Sequence, residues 1–445
     1  MVPPAQRCVR AAYAVATAAA IVTTPRAPTR AQPTTNVPTR RDAAAFADHR
    51  AGVYCGDAAA DRYLPKLPGL NDWSRWHSSP SYLTNGHAHT IFAAKLRWTA
   101  SIDYERHLIK TDDGGTLALD VVACADAARP SRTAAGATYA TASDEPVPDG
   151  RPFLLLLSGL GGGSQDTYVR AQAAAADARG WRVAVLNMRS CGGSPVTSPR
   201  FFSARRGSTD DVRAAAAWIR QRWRPPTLAA IGWSNSGTIV CNALAEQASK
   251  TGEARLDAAC CLAAPLDMPL SSRNFERPWH RNVYDRSIGG SLAEKIRGAA
   301  HLFVDDAGRS KPVPAWGGGT FVADVDRASA ATTIRAVDEA LTAPCFGFPT
   351  VDAYYADASA DQRVCAVDAP LLVVNAADDP IALTTVKRGV FDYDAVAAND
   401  NLVVAVTARG GHLGWVDAAD PTGPPDWAQE TVLDFLDAAR REAPP

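Results

Sequence analysis

The sequence predicts an α/β fold with a mostly parallel central sheet that carries helices on both faces. From Pro152 onward, apolar runs alternate with segments of helical composition, as in sheets built from strand–helix–strand units. The run Phe153–Leu157 is apolar at every position, which is typical of a strand buried on both faces. The alternation stops over residues 266–360. This interval is too long for a loop, so we expect a helical cap inserted over the carboxyl edge of the sheet.

The individual elements follow from apolar runs, helical composition and turn residues. Tyr104–Lys110 and Thr116–Ala123 predict two strands around a turn, whereas residues 125–150 lack large apolar side chains and predict a surface insertion. The later strands are predicted at Phe153–Leu157, Arg182–Leu186, Leu228–Gly232, Ala258–Ala264, Pro370–Asn375 and Leu402–Thr407. The main helices are predicted at Thr167–Arg179, Thr209–Arg222, Asn235–Ser249 and Trp427–Ala439.

Composition excludes several classes of function. Lys and Arg total 46 and Asp and Glu total 47, a balance that argues against nucleic-acid binding, which goes with a basic excess. The nine cysteines are scattered and form no CxxC pair, so neither a zinc ribbon nor a redox motif is expected. Free thiols in a reducing compartment are the simpler interpretation.

Residues 1–41 have the composition of a targeting segment or a disordered tail. They contain no Asp or Glu but six arginines, and their apolar run Ala11–Val22 is shorter than the roughly 20 residues that span a bilayer. An organelle transit peptide for a mitochondrion or plastid, a secretory signal and a disordered tail all stay open, and so does the localisation. Residues 42–100 are expected to be an N-terminal extension and residues 101–445 the main domain.

A candidate nucleophile lies between a predicted strand and a predicted helix. The segment Gly232-Trp233-Ser234-Asn235-Ser236 resembles the G-x-S-x-G turn that lifts a serine above a sheet, with Ser236 in place of the second glycine. The backbone N–H groups at a helix N-terminus favour negative charge on the reacting atoms. Alone, the segment also fits a small-residue turn for close helix packing.

The acid and the base are expected later in the chain, after two further strands. Asp378 and Asp379 follow the predicted strand at 370–375, and His412 follows the last one. We prefer Asp379, because the chain turns back at Pro380; Asp378 would then be a solvated turn residue. A serine hydroxyl needs a base to become nucleophilic, and the carboxylate holds the imidazole in the required tautomer.

The loop Ser158–Ser164 is the expected source of an oxyanion hole. The backbone N–H groups of Leu160 and Asn235 are the predicted donors. A dinucleotide site is not expected, since Ser164 stands where a GxGxxG motif needs glycine, and no cofactor is predicted. No metal is predicted either, because the pair His87-x-His89 has no cluster of carboxylates or cysteines beside it.

Beyond the site residues, several motifs resemble the YheT-like AB hydrolase 4 family of the α/β-hydrolase superfamily. The family patterns NGHxQT, GLTGGS, NHRGCGGS and NAxDDP are similar, in that order, to Asn85–Thr90, Gly159–Ser164, Asn187–Ser194 and Asn375–Pro380. Thr342–Pro344 and Tyr354-Tyr355 resemble the family's return from cap to core, and the resemblance extends over about residues 83–440. The sequence departs from the family at Ser236, Ser190 and His89.

This resemblance implies an α/β-hydrolase fold and carboxylic-ester hydrolysis on acylglycerols or phospholipid-like substrates, with membrane attachment in some members. By position it implies Ser234, Asp379 and His412 as the triad. Two other functions are weighed. An acyltransferase would use the same acyl-enzyme with an alcohol as acceptor, and a binding module would keep the fold without turnover. The expected partner is a small ester or lipid; acyl length, head group and oligomeric state are left open.

Overall fold

The computed structural model describes residues 51–123, 131–134, 137–141, 148–249, 254–383 and 393–442. The expected targeting segment, residues 1–41, lies outside these ranges. In chain order, the strands are β1 (Gly52–Tyr54), β2 (Ile102–Lys110), β3 (Thr116–Val122), β4 (Ser131–Ala134), β5 (Ala137–Thr141), β6 (Phe153–Leu157), β7 (Arg182–Asn187), β8 (Leu228–Trp233), β9 (Ala258–Leu262), β10 (Pro312–Pro314), β11 (Thr320–Val322), β12 (Leu371–Ala376) and β13 (Leu402–Thr407).

The α-helices alternate with these strands and also fill the interval between β9 and β12. They are α1 (Asp57–Tyr63), α2 (Pro68–Asn71), α3 (Gly86–Leu96), α4 (Thr167–Ala178), α5 (Ser208–Trp223), α6 (Asn235–Gln247), α7 (Met268–Phe275), α8 (Pro278–His280), α9 (Arg286–Ala299), α10 (Val325–Ala330), α11 (Ile334–Val337), α12 (Ala343–Cys345), α13 (Val351–Ala358), α14 (Tyr393–Ala397) and α15 (Asp426–Glu442). Two π-helical turns, Arg281–Asp285 and Asp338–Thr342, continue α8 and α11.

Eleven of the thirteen described strands form one sheet in the order β1-β13-β12-β9-β8-β6-β7-β3-β2-β5-β4. The other two, β10 and β11, pair with each other in antiparallel fashion. The six neighbouring strands of the larger sheet β7, β6, β8, β9, β12 and β13 all pair in parallel. Strand β1 adds to β13 in antiparallel fashion, and β3 does the same on β7. Because parallel strands end at the same edge, the loops after β6, β8, β12 and β13 meet there.

Burial on both faces explains why β6 is apolar at every position. Phe153, Leu155 and Leu157 pack into one core with α5 and α6. Leu154 and Leu156 point the other way, into a second core with α4 and α15. Alternate side chains of a strand point to opposite faces, so a strand covered on both sides needs apolar residues throughout.

Two segments are more integrated than the sequence analysis expected. The interval 125–150 was expected to be a surface insertion, but within it β4 and β5 pair as a hairpin and β5 extends the sheet beside β2. Of these two, only β4 is an edge strand; β5 lies inside the sheet and packs the buried Tyr139 against Tyr104. Residues 42–100 were expected to be an N-terminal extension; within them, β1 pairs with β13 at the opposite edge of the sheet.

Buried polar contacts fix the loop that follows β6. The carboxylate of Asp120 on β3 accepts hydrogen bonds from Ser164 Oγ at 2.6 Å and from Asn187 Nδ2 at 2.7 Å. Asn187 Oδ1 in turn accepts from the backbone N–H of Ser164 at 3.0 Å. The motif that begins at Asn187 therefore holds the last residue of the Gly159–Ser164 loop.

A buried ion-pair cluster anchors the same motif to the rest of the domain. The guanidinium of Arg189 makes a two-pronged contact with Asp211 on α5, at 2.8 and 2.7 Å, and reaches Asp113 at 2.6 Å. Both Arg189 and Asp211 are buried. The loss of either partner of such a pair lowers the stability of the fold, because the remaining buried charge is uncompensated.

The variant Asp211→Ala is expected to destabilise the protein by about 3 kcal/mol, because Arg189 would lose its fully buried partner. Thermal unfolding should then show a Tm lowered by roughly 3 °C. Arg309→Ala provides the control, since its pair with Asp305 lies at the surface and its loss should leave Tm within about 1 °C. Equal effects of the two variants would contradict the structural importance of the buried cluster.

Candidate active site

Ser234 sits at a tight turn between β8 and α6. Its φ is +54°, a left-handed conformation that is rare for a residue with a side chain, and its N–H donates to Leu262 O at 2.9 Å. A Cβ on Gly232 would lie 2.3 Å from the carbonyl oxygen of Ser236, which explains the glycine before the serine. Ser236 itself is buried in the first turn of α6, so this position accepts serine in place of glycine.

The structure brings together the three side chains that the sequence analysis proposed as a triad. His412 Nε2 lies 2.8 Å from Ser234 Oγ. On the other side of the ring, Nδ1 lies 2.9 Å from Asp379 Oδ2 and 3.2 Å from Oδ1. All three side chains are buried, so bulk water does not compete for these hydrogen bonds.

Asp379 and Asp378, the two candidate acids, have different surroundings. Asp379 Oδ1 also accepts from the N–H groups of Ile381 and Ala382, at 2.7 and 2.9 Å, which fixes the carboxylate against the ring. Asp378 was expected to be a solvated turn residue, but it is only partly exposed and accepts from Gly411 N–H at 2.9 Å. Burial raises the pKa of Asp378 to about 6. Asp378 therefore ties the loop after β12 to the loop that carries His412.

Helix α3 positions both loops, a contribution that the sequence analysis missed. Thr90 Oγ1 accepts from the His412 N–H at 2.8 Å and donates to Gly86 O at 2.7 Å. A Cβ on Gly86 would lie 1.6 Å from the carbonyl oxygen of Asp378, so glycine is required for this close approach. The only signal in the sequence was the motif Asn85–Thr90, and its spacing says nothing about which loops it touches.

The loop after β6 packs directly against the serine. A Cβ on Gly159 would lie 3.3 Å from Ser234 Cβ, and the Gly159 N–H donates to Tyr168 Oη at 2.9 Å. Leu160, the next residue, lines the same cavity as Ser234, Asn235 and His412. The two residues predicted to supply oxyanion donors are thus placed beside the serine.

A cavity of about 470 Å³ opens above the serine and the histidine. Much of its wall comes from the segment between β9 and β12, including Met268, Phe275 and Ile288. A smaller apolar cavity of about 60 Å³ adjoins it and shares Leu160 and Asn235. Apolar walls with a few converging polar groups are typical of sites for small organic ligands.

The two histidines of the His87-x-His89 pair point to different neighbours. His87 Nδ1 lies 2.8 Å from Tyr284 Oη, and the two rings stack with an interplanar angle of 9°. His89 is buried beneath the loop that carries His412, and its pKa is lowered to about 3 by burial. Among the residues with described positions, no group of three or more metal-ligating side chains is found. No helix in the same residues has the length and apolar character needed to cross a bilayer.

A buried carboxyl group lies at the wall of the smaller cavity. Asp338 accepts a hydrogen bond from Tyr355 Oη at 2.8 Å. Burial, with a further contribution from the nearby Asp285, raises the pKa of Asp338 from 3.8 to about 6. The folded protein therefore holds this proton more tightly than the unfolded chain does, and stability contributed by the protonated form is lost as pH rises from about 4 to about 6.

The variant Asp338→Asn should become more stable relative to the parent as pH rises, because an amide need not ionise in the buried site. The difference in unfolding free energy should grow between pH 4 and 7 by about 3 kcal/mol. Tm values of both proteins across this range provide the measurement, with Asp306→Asn at an exposed position as the control. A difference that stays flat with pH would show that Asp338 is not the titrating group.

Comparison with known proteins places this site in a wider context. A family profile described as the alpha/beta hydrolase fold matches residues 152–287, which include Ser234. The embryogenesis-associated protein EMB8 of Picea glauca is 29% identical over 418 residues, covering 91% of this chain and 84% of that protein.

Two further relatives carry names that refer to lipids or esters. Phospholipase ABHD3 of Mus musculus is 28% identical over 320 residues, covering 72% of this chain and 68% of its own. Medium-chain fatty acid ethyl ester synthase/esterase 2 of Saccharomyces cerevisiae is 29% identical over 292 residues, covering 64% and 62%. With the sheet order and the turn at Ser234, these similarities show that the chain has the α/β-hydrolase fold.

Proposed function

We propose that this protein is a serine hydrolase that cleaves carboxylic esters through an acyl-enzyme. The observation that carries the proposal is the continuous chain of hydrogen bonds from Asp379 through His412 to Ser234, at 2.9 and 2.8 Å, on the wall of an apolar cavity. A serine, a histidine and a carboxylate in this order activate the hydroxyl for attack on an acyl carbon.

The reaction proceeds in two halves. Ser234 Oγ attacks the ester carbonyl carbon while His412 Nε2 takes the hydroxyl proton, and the tetrahedral adduct collapses as His412 returns the proton to the departing alcohol. Water then attacks the acyl-enzyme with the same histidine as base, which releases the acid and restores Ser234. Asp379 keeps Nδ1 protonated and stabilises the imidazolium in both halves.

The negative charge of the tetrahedral adduct would be stabilised by backbone donors beside the serine. The N–H groups of Leu160 and Asn235 are the proposed pair, since both residues line the cavity at Ser234. Preorganised donors of this kind contribute about 3 kcal/mol each to transition-state stabilisation. Hydrogen bonds of Ser164 Oγ to Asp120 and of Gly159 N–H to Tyr168 Oη hold the loop on both sides of Leu160.

The proposed substrates are acylglycerols or other lipid-like or short-chain esters. The apolar wall formed by Met268, Phe275 and Ile288 suits a hydrocarbon chain, and the names of the relatives refer to lipids and fatty acid esters. We propose residues 266–360 as the cap that supplies this wall.

An acyltransferase is the second candidate, favoured by the name of the yeast relative, a synthase as well as an esterase. It would use the same acyl-enzyme but pass the acyl group to an alcohol. Product analysis with competing ethanol or glycerol separates the two functions, because hydrolysis alone yields only the free acid. Saturable ligand binding without turnover of any ester would instead favour a binding module.

The variant Ser234→Ala should lose ester hydrolysis and covalent labelling together, because both need the Oγ nucleophile. A fluorophosphonate probe reacts by bonding to Oγ with loss of fluoride, so the labelled peptide should contain Ser234. Turnover of a panel of short and long esters is measured in parallel. The activity of the variant should be at least about 10³-fold lower than that of the parent. Labelling that persists in Ser234→Ala would refute the proposal.

The two neighbouring aspartates should differ sharply in their effect on kcat. Asp379→Asn is expected to lower kcat by about 10³–10⁴-fold, because the amide favours the wrong imidazole tautomer. Asp378→Asn should cost less than about tenfold, since its amide oxygen can still accept the Gly411 N–H. Steady-state kinetics on one ester compares them, and a larger loss at position 378 would reverse the assignment of the acid.

A further inference from the structure

A polar cavity of about 430 Å³ opens beside the catalytic cavity. The two cavities share Glu276, Arg281 and Thr333 in their walls, so they adjoin each other, and the polar one is called the polar branch below. The remaining lining residues of the polar branch are Pro278, Asn282, Arg286 and Thr332. Its chemistry therefore differs from that of the apolar cavity next to Leu160, although both adjoin the catalytic cavity that contains Ser234.

The arginines of this branch lack partners, in contrast to many others in the molecule. Within the described part of the chain, the side chains of Arg281 and Arg286 make no hydrogen bond and no ion pair, and both are exposed. Elsewhere, Arg205 is paired with both Glu246 and Asp357. An arginine left unpaired beside a cavity keeps five N–H donors available for an incoming carboxylate or phosphate.

The carboxylates near the branch do not cancel this charge. Glu276 is the single acidic residue in its described lining, against two arginines. Asp285 lies buried at the wall of the catalytic cavity, where its Oδ1 accepts from Ile334 N–H at 2.7 Å; Arg281 attracts this carboxylate electrostatically but makes no hydrogen bond or ion pair with it. The wall of the branch thus carries an excess positive charge.

Residues 276–286, which supply most of the wall of the polar branch, are attached to the histidine side of the site. The segment that forms it begins after α7, where Asn274 Nδ2 donates to Pro380 O at 2.6 Å, next to Asp379. It ends near Tyr284, which contacts His87 on α3, the helix that holds the His412 loop. The apolar cavity instead adjoins Leu160 and Asn235, the proposed oxyanion donors.

This arrangement separates the two halves of an ester. During cleavage the alcohol oxygen must face His412 Nε2, because that atom returns the proton to the leaving group. The acyl carbonyl oxygen must face the donors at Leu160 and Asn235. The acyl chain therefore extends toward the apolar cavity, and the alcohol portion extends toward the polar branch.

We propose that the polar branch is a binding site for an anionic group, a phosphate or a carboxylate, on the alcohol portion of the ester substrate. Arg281 and Arg286 would contact this group. The inference rests on the proposed ester hydrolysis and names the chemical class of substrate: an amphiphile with an apolar acyl chain and a negatively charged alcohol.

A matched set of water-soluble esters tests the proposal. The full-length protein is assayed with the hexanoate esters of 3-hydroxybenzoate, 3-hydroxybenzamide and 3-hydroxyphenyltrimethylammonium, which differ in charge but little in shape. Concentrations stay below aggregation, so the charge of the single molecule is measured. The parent protein should show a kcat/KM for the anionic ester that exceeds that for the neutral one by about tenfold or more.

The double variant Arg281→Gln/Arg286→Gln should bring the anionic-to-neutral ratio of kcat/KM close to 1, mainly through a higher KM for the anionic ester. Arg309→Gln, an exposed arginine in neither cavity, serves as the matched control and should keep the parent ratio. A ratio near 1 in the parent, or the parent ratio in the double variant, would overturn the inference while leaving ester hydrolysis intact.

A second arm distinguishes an anionic substrate from an anionic lipid surface. The neutral ester is presented in vesicles of zwitterionic lipid with and without phosphatidylglycerol. Acceleration by the anionic vesicles that needs Arg281 and Arg286, without preference for the soluble anionic ester, would assign the arginines to surface binding and overturn the inference. Equal rates in both vesicles, together with the soluble preference, support it.

A binding measurement keeps this inference separate from the proposed function. If no ester is turned over, the hydrolase proposal fails, and calorimetry with phenyl phosphate on the Ser234→Ala protein still examines the branch. Binding that disappears when Arg281 and Arg286 are also replaced would support an anion site. Absence of binding would overturn it.

Discussion

The left-handed turn at Ser234 is the constraint on which the rest of the site depends. A serine at a φ of +54° is strained, and the surrounding structure must hold it there. Gly232 leaves space for the turn that precedes Ser234. The hydrogen bond from the Ser234 N–H to Leu262 O anchors the serine to the neighbouring strand. This geometry places the Ser234 hydroxyl above the sheet, with its Oγ 2.8 Å from His412 Nε2.

The sheet supplies the remaining components because parallel strands end on one side. The loops after β6, β8, β12 and β13 meet there although more than 170 residues separate Ser234 from His412 along the chain. Helix α3 then acts from outside the alternating pattern: Thr90 and Gly86 fasten the loops of His412 and Asp378 to one another. The site is thus formed by several loops, and helix α3 contacts two of them and fixes their relative positions.

Much of this could be predicted from the sequence, and the failures have physical causes. Apolar runs such as Phe153–Leu157 mark strands buried on both faces, so the parallel fold was predicted correctly, and Leu402–Thr407 matches a strand residue by residue. The hairpin of β4 and β5 was missed: it extends the sheet beside β2 through backbone hydrogen bonds, and strands this short leave little apolar pattern in the sequence. Asp378 was misjudged because two adjacent carboxylates look alike until the partners of each, His412 and Gly411, are known.

The short strand β1 limits how far the N-terminal region can be removed by proteolysis. Gly52–Tyr54 cover the outer edge of β13, whose last residue lies five positions before His412. An uncovered apolar edge strand exposes a row of N–H and C=O groups that invites intermolecular pairing. Proteolytic removal of N-terminal residues should therefore be tolerated only upstream of Gly52. A cut after Tyr54 would expose the backbone edge of β13 and promote aggregation.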